Sequence, residues 1–152
     1  MLGSSVNAYV ALLQVMNDAV VRVGSLGYVR LRRGFLAYVG SANIRRPYLR
    51  VLRHCRKRKR VRWHIDYITV RGDVRVWGAL ILSGVAEKEV YNALLGIKGV
   101  EPYVKGLGCS DSVNHVTHVF QVGCSGWVEC INYLVKQLMH ALRPVLVELV
   151  VC

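Results

Sequence analysis

Apolar residues in the first third of the chain fall in runs of strand length. Residues 8–15 (AYVALLQV), 19–24 (AVVRVG) and 28–33 (YVRLRR) read as three strands, with Gly24-Ser25-Leu26-Gly27 between the last two as a turn. Gly34 precedes a fourth run, FLAYVG (35–40), so the opening third is predicted to be a small, mainly antiparallel sheet. The period becomes helical after Pro47, which suits a first helical turn because its missing N–H costs nothing there. Tyr48, Val51, Leu52 and Cys55 form one apolar stripe, while Arg46, Arg50, Arg53 and Lys57 share the opposite face with His54 on its flank. The stripe is expected to dock on the sheet with the cations outward, and residues 56–62 to form the helix end and a basic loop.

WHIDYITV (63–70) and RVWGALIL (75–82) read as two strands joined by a Gly72-Asp73 turn. Residues 86–96 read as a helix, 99–114 as a loop, 118–122 as a strand and 127–142 as an amphipathic helix stopped by Pro144. VLVELVV (145–151) suggests a last strand. The stripe of Val128, Ile131, Leu134, Val135, Leu138 and Leu142 is core or a dimer face, which leaves the oligomeric state open. There is no internal repeat or linker. The expectation is one α+β domain over residues 1–152: a small central antiparallel or mixed sheet flanked by helices, with an extra hairpin at 19–33 and a helix–strand extension at 123–152.

Charge narrows the class of partner. The net charge is +12 and the hydrophobic fraction 53%, which describes a folded basic protein and excludes a disordered basic tail. Ten of the 21 Lys and Arg residues lie between residues 45 and 62, and a phosphate polymer best accounts for them. No apolar run is long enough to cross a bilayer, and MLGSSVNAYV makes a poor signal peptide, so a soluble cytoplasmic protein without membrane contact is expected. The five cysteines are odd in number and none forms a CxxC pair, so they read as buried or incidental thiols. A zinc site from Cys109, His115, His118 and Cys124 matches no common structural spacing and is discounted.

Asn7-Ala8-Tyr9 and Tyr38-Val39-Gly40 resemble the two halves of the GIY-YIG nuclease motif. The wider pattern is similar to a small, mainly archaeal branch of that superfamily, with a GxxxYVGSA strand, an Arg-His helix, WHIDY, a helix opening with glutamates, and GxGxSD followed by a histidine. These stand here at Gly34 to Ala42, Arg50 with His54, residues 63–67, Glu87 with Glu89, and Gly106 to Asp111 with His118. The resemblance covers residues 7–122. The sequence departs from it in Asn7, which stands where the motif has glycine, in the long gap from Tyr9 to Tyr38, and in a missing late Cys pair.

The resemblance implies a divalent-metal-dependent endonuclease acting on DNA, with Mg²⁺ or Mn²⁺ as cofactor. Repair is its implied setting, since domains of the branch occur joined to an endonuclease-III-like glycosylase. Tyr9 and Tyr38 would orient or deprotonate water, Arg50 would clamp the phosphate, and His54 would protonate the leaving group or bind phosphate. Glu87 or Glu89 would hold the metal, although carboxylates near a helix N-terminus are also favoured by its dipole. Gly40, Ser41, Asp111 and His118 would line the same pocket. On a strand, His64 and Asp66 would face the same way, so that the carboxylate could orient the imidazole. Arg45, Arg46, Arg53, Arg56, Lys57, Arg58, Lys59, Arg60 and Arg62 are the expected nucleic-acid contacts, and Trp63 and Tyr67 could stack on bases. The alternative is a non-catalytic module that keeps the fold and binds DNA or structured RNA.

Overall fold

Strand β1 (Asn7–Val15) lies between two antiparallel partners, and nearly all of its residues are buried. A strand covered on both faces needs apolar side chains at consecutive positions, which is why AYVALLQV shows no alternation. The computed structural model describes residues 6–108, 115–144 and 146–152. The first third adds β2 (Ala19–Val23), β3 (Gly27–Leu31) and β4 (Gly34–Ser41), then comes α1 (Tyr48–Cys55) and a short α2 (Asp66–Thr69). β5 (Val74–Ser83), α3 (Glu87–Leu95), β6 (Val100–Pro102), β7 (Val119–Val122), α4 (Trp127–Leu142) and β8 (Leu146–Val151) complete the chain.

The main sheet has six strands in the order β6-β7-β4-β1-β5-β8, every pair antiparallel, while β2 and β3 form a separate hairpin. The fold is therefore α+β, with a six-stranded main sheet that is wider than the small central sheet expected from the sequence. The predicted hairpin at 19–33 is present. The expected extension is part of the same core: α4 buries Cys130, Ile131, Leu134 and Leu138 against the sheet, and β8 pairs with β5. One face of the sheet carries α3 and α4. The other carries α1, α2 and the hairpin.

Residues 63–70 do not form a strand. Asp66 accepts the N–H groups of Arg62 (2.8 Å) and Trp63 (3.0 Å), which folds the chain back on itself before α2. A strand would have sent those N–H groups into a ladder. The apolar stripe of α1 also differs from expectation, for Tyr48 is exposed and the inward face is Val51 with His54. Four of the five cysteines are paired and not incidental thiols, while Cys109 lies outside the described residues. Cys55 pairs with Cys152, tying α1 to the end of β8, and Cys124 pairs with Cys130 at the start of α4.

Candidate functional site

Antiparallel pairing gathers distant segments at one end of the sheet. Tyr9 near the start of β1 lies opposite Gly40 near the end of β4, and Tyr38 lies opposite Val119 at the start of β7. The end of β5 pairs with the start of β1 and leads directly into α3. The two phenol rings are 6.1 Å apart, edge to face, on the face that α1 covers. Gly40 makes this possible: a Cβ there would collide with the Tyr9 phenol, 2.4 Å from its Cζ and 2.5 Å from its Oη. The glycine of Tyr38-Val39-Gly40 is thus a space for the tyrosine of the neighbouring strand.

α1 brings His54 onto the phenols, with Tyr9 Oη 2.7 Å from His54 Nε2 and both phenol rings 5.5 Å from the imidazole. His54 is 1% exposed, and among the described residues its Nδ1 is a buried polar atom without a hydrogen-bond partner. Burial, followed by the Lys59 ammonium, lowers its pKa to about 4, so the imidazole is neutral at pH 7. Burial raises Tyr9 well above the ordinary phenol value, with the Tyr38 phenol adding to it. Burial and then the Glu87 carboxylate raise Tyr38 to about 12. Both phenols therefore carry their protons at neutral pH.

Arg50, one turn before His54, donates from Nη1 to the Ser41 carbonyl at 3.1 Å. Its positive charge lowers Tyr9, Tyr38 and Glu87 alike, which sets it beside all three. Glu87 opens α3 half-buried, and burial raises its carboxyl while Arg50 and the Ser41 backbone pull the other way. Its Oε1 is 3.3 Å from His118 Nε2. His118 is held through its own backbone, donating N–H to Leu107 and accepting from Val39, both at 2.9 Å. His115 Nδ1 is 2.7 Å from the same His118 nitrogen.

The donor set bears on a metal. Glu87, His115 and His118 each place a ligand atom within 4.8 Å of the other two, close enough for one cation to bind all three. Sequence reasoning singles out His115 only beside cysteines. Cys124 is in a disulfide, Cys109 lies outside the described residues, and the signal that finds the pair is the His-Val-Thr-His spacing at 115–118. Glu89 does not join the cluster. Its Oε2 accepts the Ala86 N–H at 2.8 Å and so caps the first turn of α3.

The expected His64–Asp66 pair is not formed. Asp66 is fully buried and accepts both Arg53 guanidinium nitrogens at 2.7 and 2.8 Å, while His64 Nδ1 accepts the Gly108 N–H at 3.2 Å. Asp66 and Arg53 together pin α1 to α2. Ser41 sits beside the cluster through its backbone, and Asp111 lies outside the described residues. Trp63 is exposed and carries the Arg53 guanidinium 4.3 Å above its ring, whereas Tyr67 is partly buried in the core.

The cations divide by direction. Lys57 Nζ donates to the carbonyls of Thr69 and Arg71 (2.8 Å each) and of Val74, and Lys59 Nζ to those of Arg53 (3.0 Å) and His54 (3.3 Å). With Arg53 they brace the loop through bonds to the protein's own carbonyls and to Asp66. Arg45, Arg46, Arg56, Arg58, Arg60 and Arg62 are at least partly exposed. Four of them join Leu49, Leu52, Arg53 and Lys59 around an open cleft of about 440 Å³.

An antiparallel sheet covered on both faces, with phenols and imidazoles buried at one end, defines an α+β protein with a polar cluster beside a cationic cleft. The chain matches the family described as domain of unknown function DUF123 over residues 8–140, and it belongs to that family. No curated protein and no solved structure matches it. Among the described residues, no helix is long and apolar enough to cross a membrane.

Proposed function

We propose that the cluster hydrolyses phosphodiester bonds in DNA and that the outward arginines of residues 45–62 receive the polynucleotide. The convergence of Tyr9, Tyr38, His54, Arg50 and Glu87 from four separated elements carries this reading. Arg50 meets the scissile phosphate with a charge-assisted hydrogen bond. Tyr9 directs its hydroxyl proton to His54 and turns an oxygen lone pair to the attacking water. Phosphate entry offsets the cations around His54, which raises its pKa and makes it a better proton acceptor. A divalent cation at Glu87, Mg²⁺ or Mn²⁺ on the resemblance, would supply charge neutralisation when bound.

One observation favours a second reading. Both phenols are protonated in the free protein, as a module that only binds DNA or structured RNA would also have them. Incubation with plasmid, single-stranded and branched DNA, with Mg²⁺ or Mn²⁺, separates the two. Cleavage that falls by about 100-fold or more in Arg50→Ala is the expected result. Binding without nicking of any substrate, with these ions or with Zn²⁺ or Co²⁺, would favour the module.

A further inference from the structure

The sequence resemblance calls for one carboxylate and an oxygen-loving ion, but the cluster at α3 is richer in nitrogen. Glu87 Oε1 lies 3.3 Å and His115 Nδ1 2.7 Å from the same His118 nitrogen. An imidazole nitrogen makes one in-plane bond, either as N–H donor or through its lone pair. His118 Nε2 therefore cannot satisfy both neighbours with hydrogen bonds, whereas a cation placed among the three atoms can accept a lone pair from each.

The surroundings hold the imidazoles in place. Tyr91 stacks on the His115 ring at 3.9 Å and 9°, and its hydroxyl accepts the Val116 N–H at 3.0 Å. Thr117, fully buried, donates its hydroxyl to the Leu107 carbonyl at 3.1 Å and accepts the Val119 N–H at 3.1 Å. Gly108 packs close to His118, where a Cβ would meet the His118 Cβ at 3.5 Å and the Tyr38 ring at 3.0 Å. Such support for the ligands is what a metal site needs beyond the ligands themselves.

We propose that Glu87, His115 and His118 form a three-ligand centre for a borderline divalent transition metal of the Zn²⁺ or Co²⁺ kind, and that it discriminates against Mg²⁺. Two imidazoles and one carboxylate match the donor preference of such ions, while Mg²⁺ keeps oxygen ligands and several waters. Three protein ligands leave a position for a water or a phosphate oxygen, as in catalytic rather than structural zinc sites. The centre shares Glu87 with the proposed hydrolysis but does not rest on it, because it is read by metal binding alone.

The test is calorimetric titration of EDTA-stripped protein with Zn²⁺, Co²⁺ and Mg²⁺, together with the visible spectrum of the Co²⁺ form. One Zn²⁺ per chain is expected, with Mg²⁺ bound at least about 100-fold more weakly. His115→Ala, at a half-buried position, and Glu87→Gln should each weaken Zn²⁺ by about 10–100-fold with the far-UV spectrum unchanged. Glu89→Gln should leave the affinity as it was. Zn²⁺ affinity unmoved in both His115→Ala and Glu87→Gln, or Mg²⁺ bound as tightly as Zn²⁺, would overturn the centre. Intact metal binding in a protein that nicks no DNA would instead sink the hydrolase reading and leave this one standing.

Discussion

The two faces of the sheet are made from alternate residues of the same strands, yet they bury different chemistry. Under α3 and α4, β1 and β4 send in Ala8, Val10, Leu12, Phe35, Ala37 and Val39. Under α1 and α2 the intervening positions include Tyr9 and Tyr38, facing a buried His54 and a buried Asp66. An apolar core gains from every group it covers, whereas each buried polar group must find a partner or cost free energy. Asp66 is fully satisfied by Arg53 and two N–H groups. Among the described residues, His54 Nδ1 finds no such partner. The contrast teaches that Asp66 is there to hold the fold, while stability does not explain His54 and the phenols.

The largest effect that tests this contrast is covalent, because each face carries one disulfide. Cys55–Cys152 spans 97 residues and anchors α1, whereas Cys124–Cys130 spans only 6 at α4. By loop entropy, Cys152→Ser should lower unfolding free energy by up to about 4.7 kcal/mol and Cys130→Ser by about 2 kcal/mol. Denaturant titration under oxidising conditions measures both. Equal decreases would show that the α1 face does not depend on its tether.

Next in size is a pH effect. His54 titrates at about 4 in the folded protein, against about 6.5 in an unfolded chain. The unfolded chain therefore takes the proton first as pH falls. The stability this group contributes is complete above about pH 6.5, is lost on the way down to about pH 4, and is on the order of 3 kcal/mol. Asp66, held low despite its burial by Arg53 and two N–H groups, adds a separate decrease only at more acid pH. His54→Gln should flatten the stability profile between about pH 6.5 and 4. A profile as steep as that of the parent protein would mean that the imidazole is not buried neutral.

A smaller effect separates the inward cations from the outward ones. Replacing Arg56, Arg58 and Arg60 with Ser should reduce the slope of log affinity for duplex DNA against log salt by up to about 2.7, at about 0.9 for each phosphate no longer neutralised. Lys57→Ser should leave the slope unchanged and lower stability, since its ammonium is already bonded to three carbonyls. A reversed outcome would move the binding surface to the other side of the loop.

Much of the architecture is legible in the sequence, since continuous apolar runs, Gly-marked turns and the Pro47 start are local signals. The parts that are not legible depend on distant partners. WHIDYITV is rich in aromatic and β-branched residues and so reads as a strand, but Asp66 finds Arg53 and folds the segment into a turn and a helix. Cys55 gives no local hint of Cys152. In the candidate site, Tyr9, Tyr38, Arg50, His54, Glu87 and His118 are all legible from the sequence and lie together. Glu87 and Glu89 are inseparable there, and only the helix geometry turns one to the cluster and the other to the Ala86 N–H. His115 enters the sequence reading only within a discounted zinc pattern with cysteines, because the carboxylate it meets stands 28 positions away (115 minus 87).

The most direct measurement removes one oxygen atom. Tyr9→Phe keeps the ring over Gly40 and deletes only the hydroxyl that meets His54. Unfolding free energy should fall by about 1–3 kcal/mol, because the buried His54 Nε2 loses its partner, and DNA affinity should hold, while the cleavage rate falls by about 100-fold or more. A Tyr9→Phe protein that cleaves as fast as its parent would contradict the role given to the buried phenol.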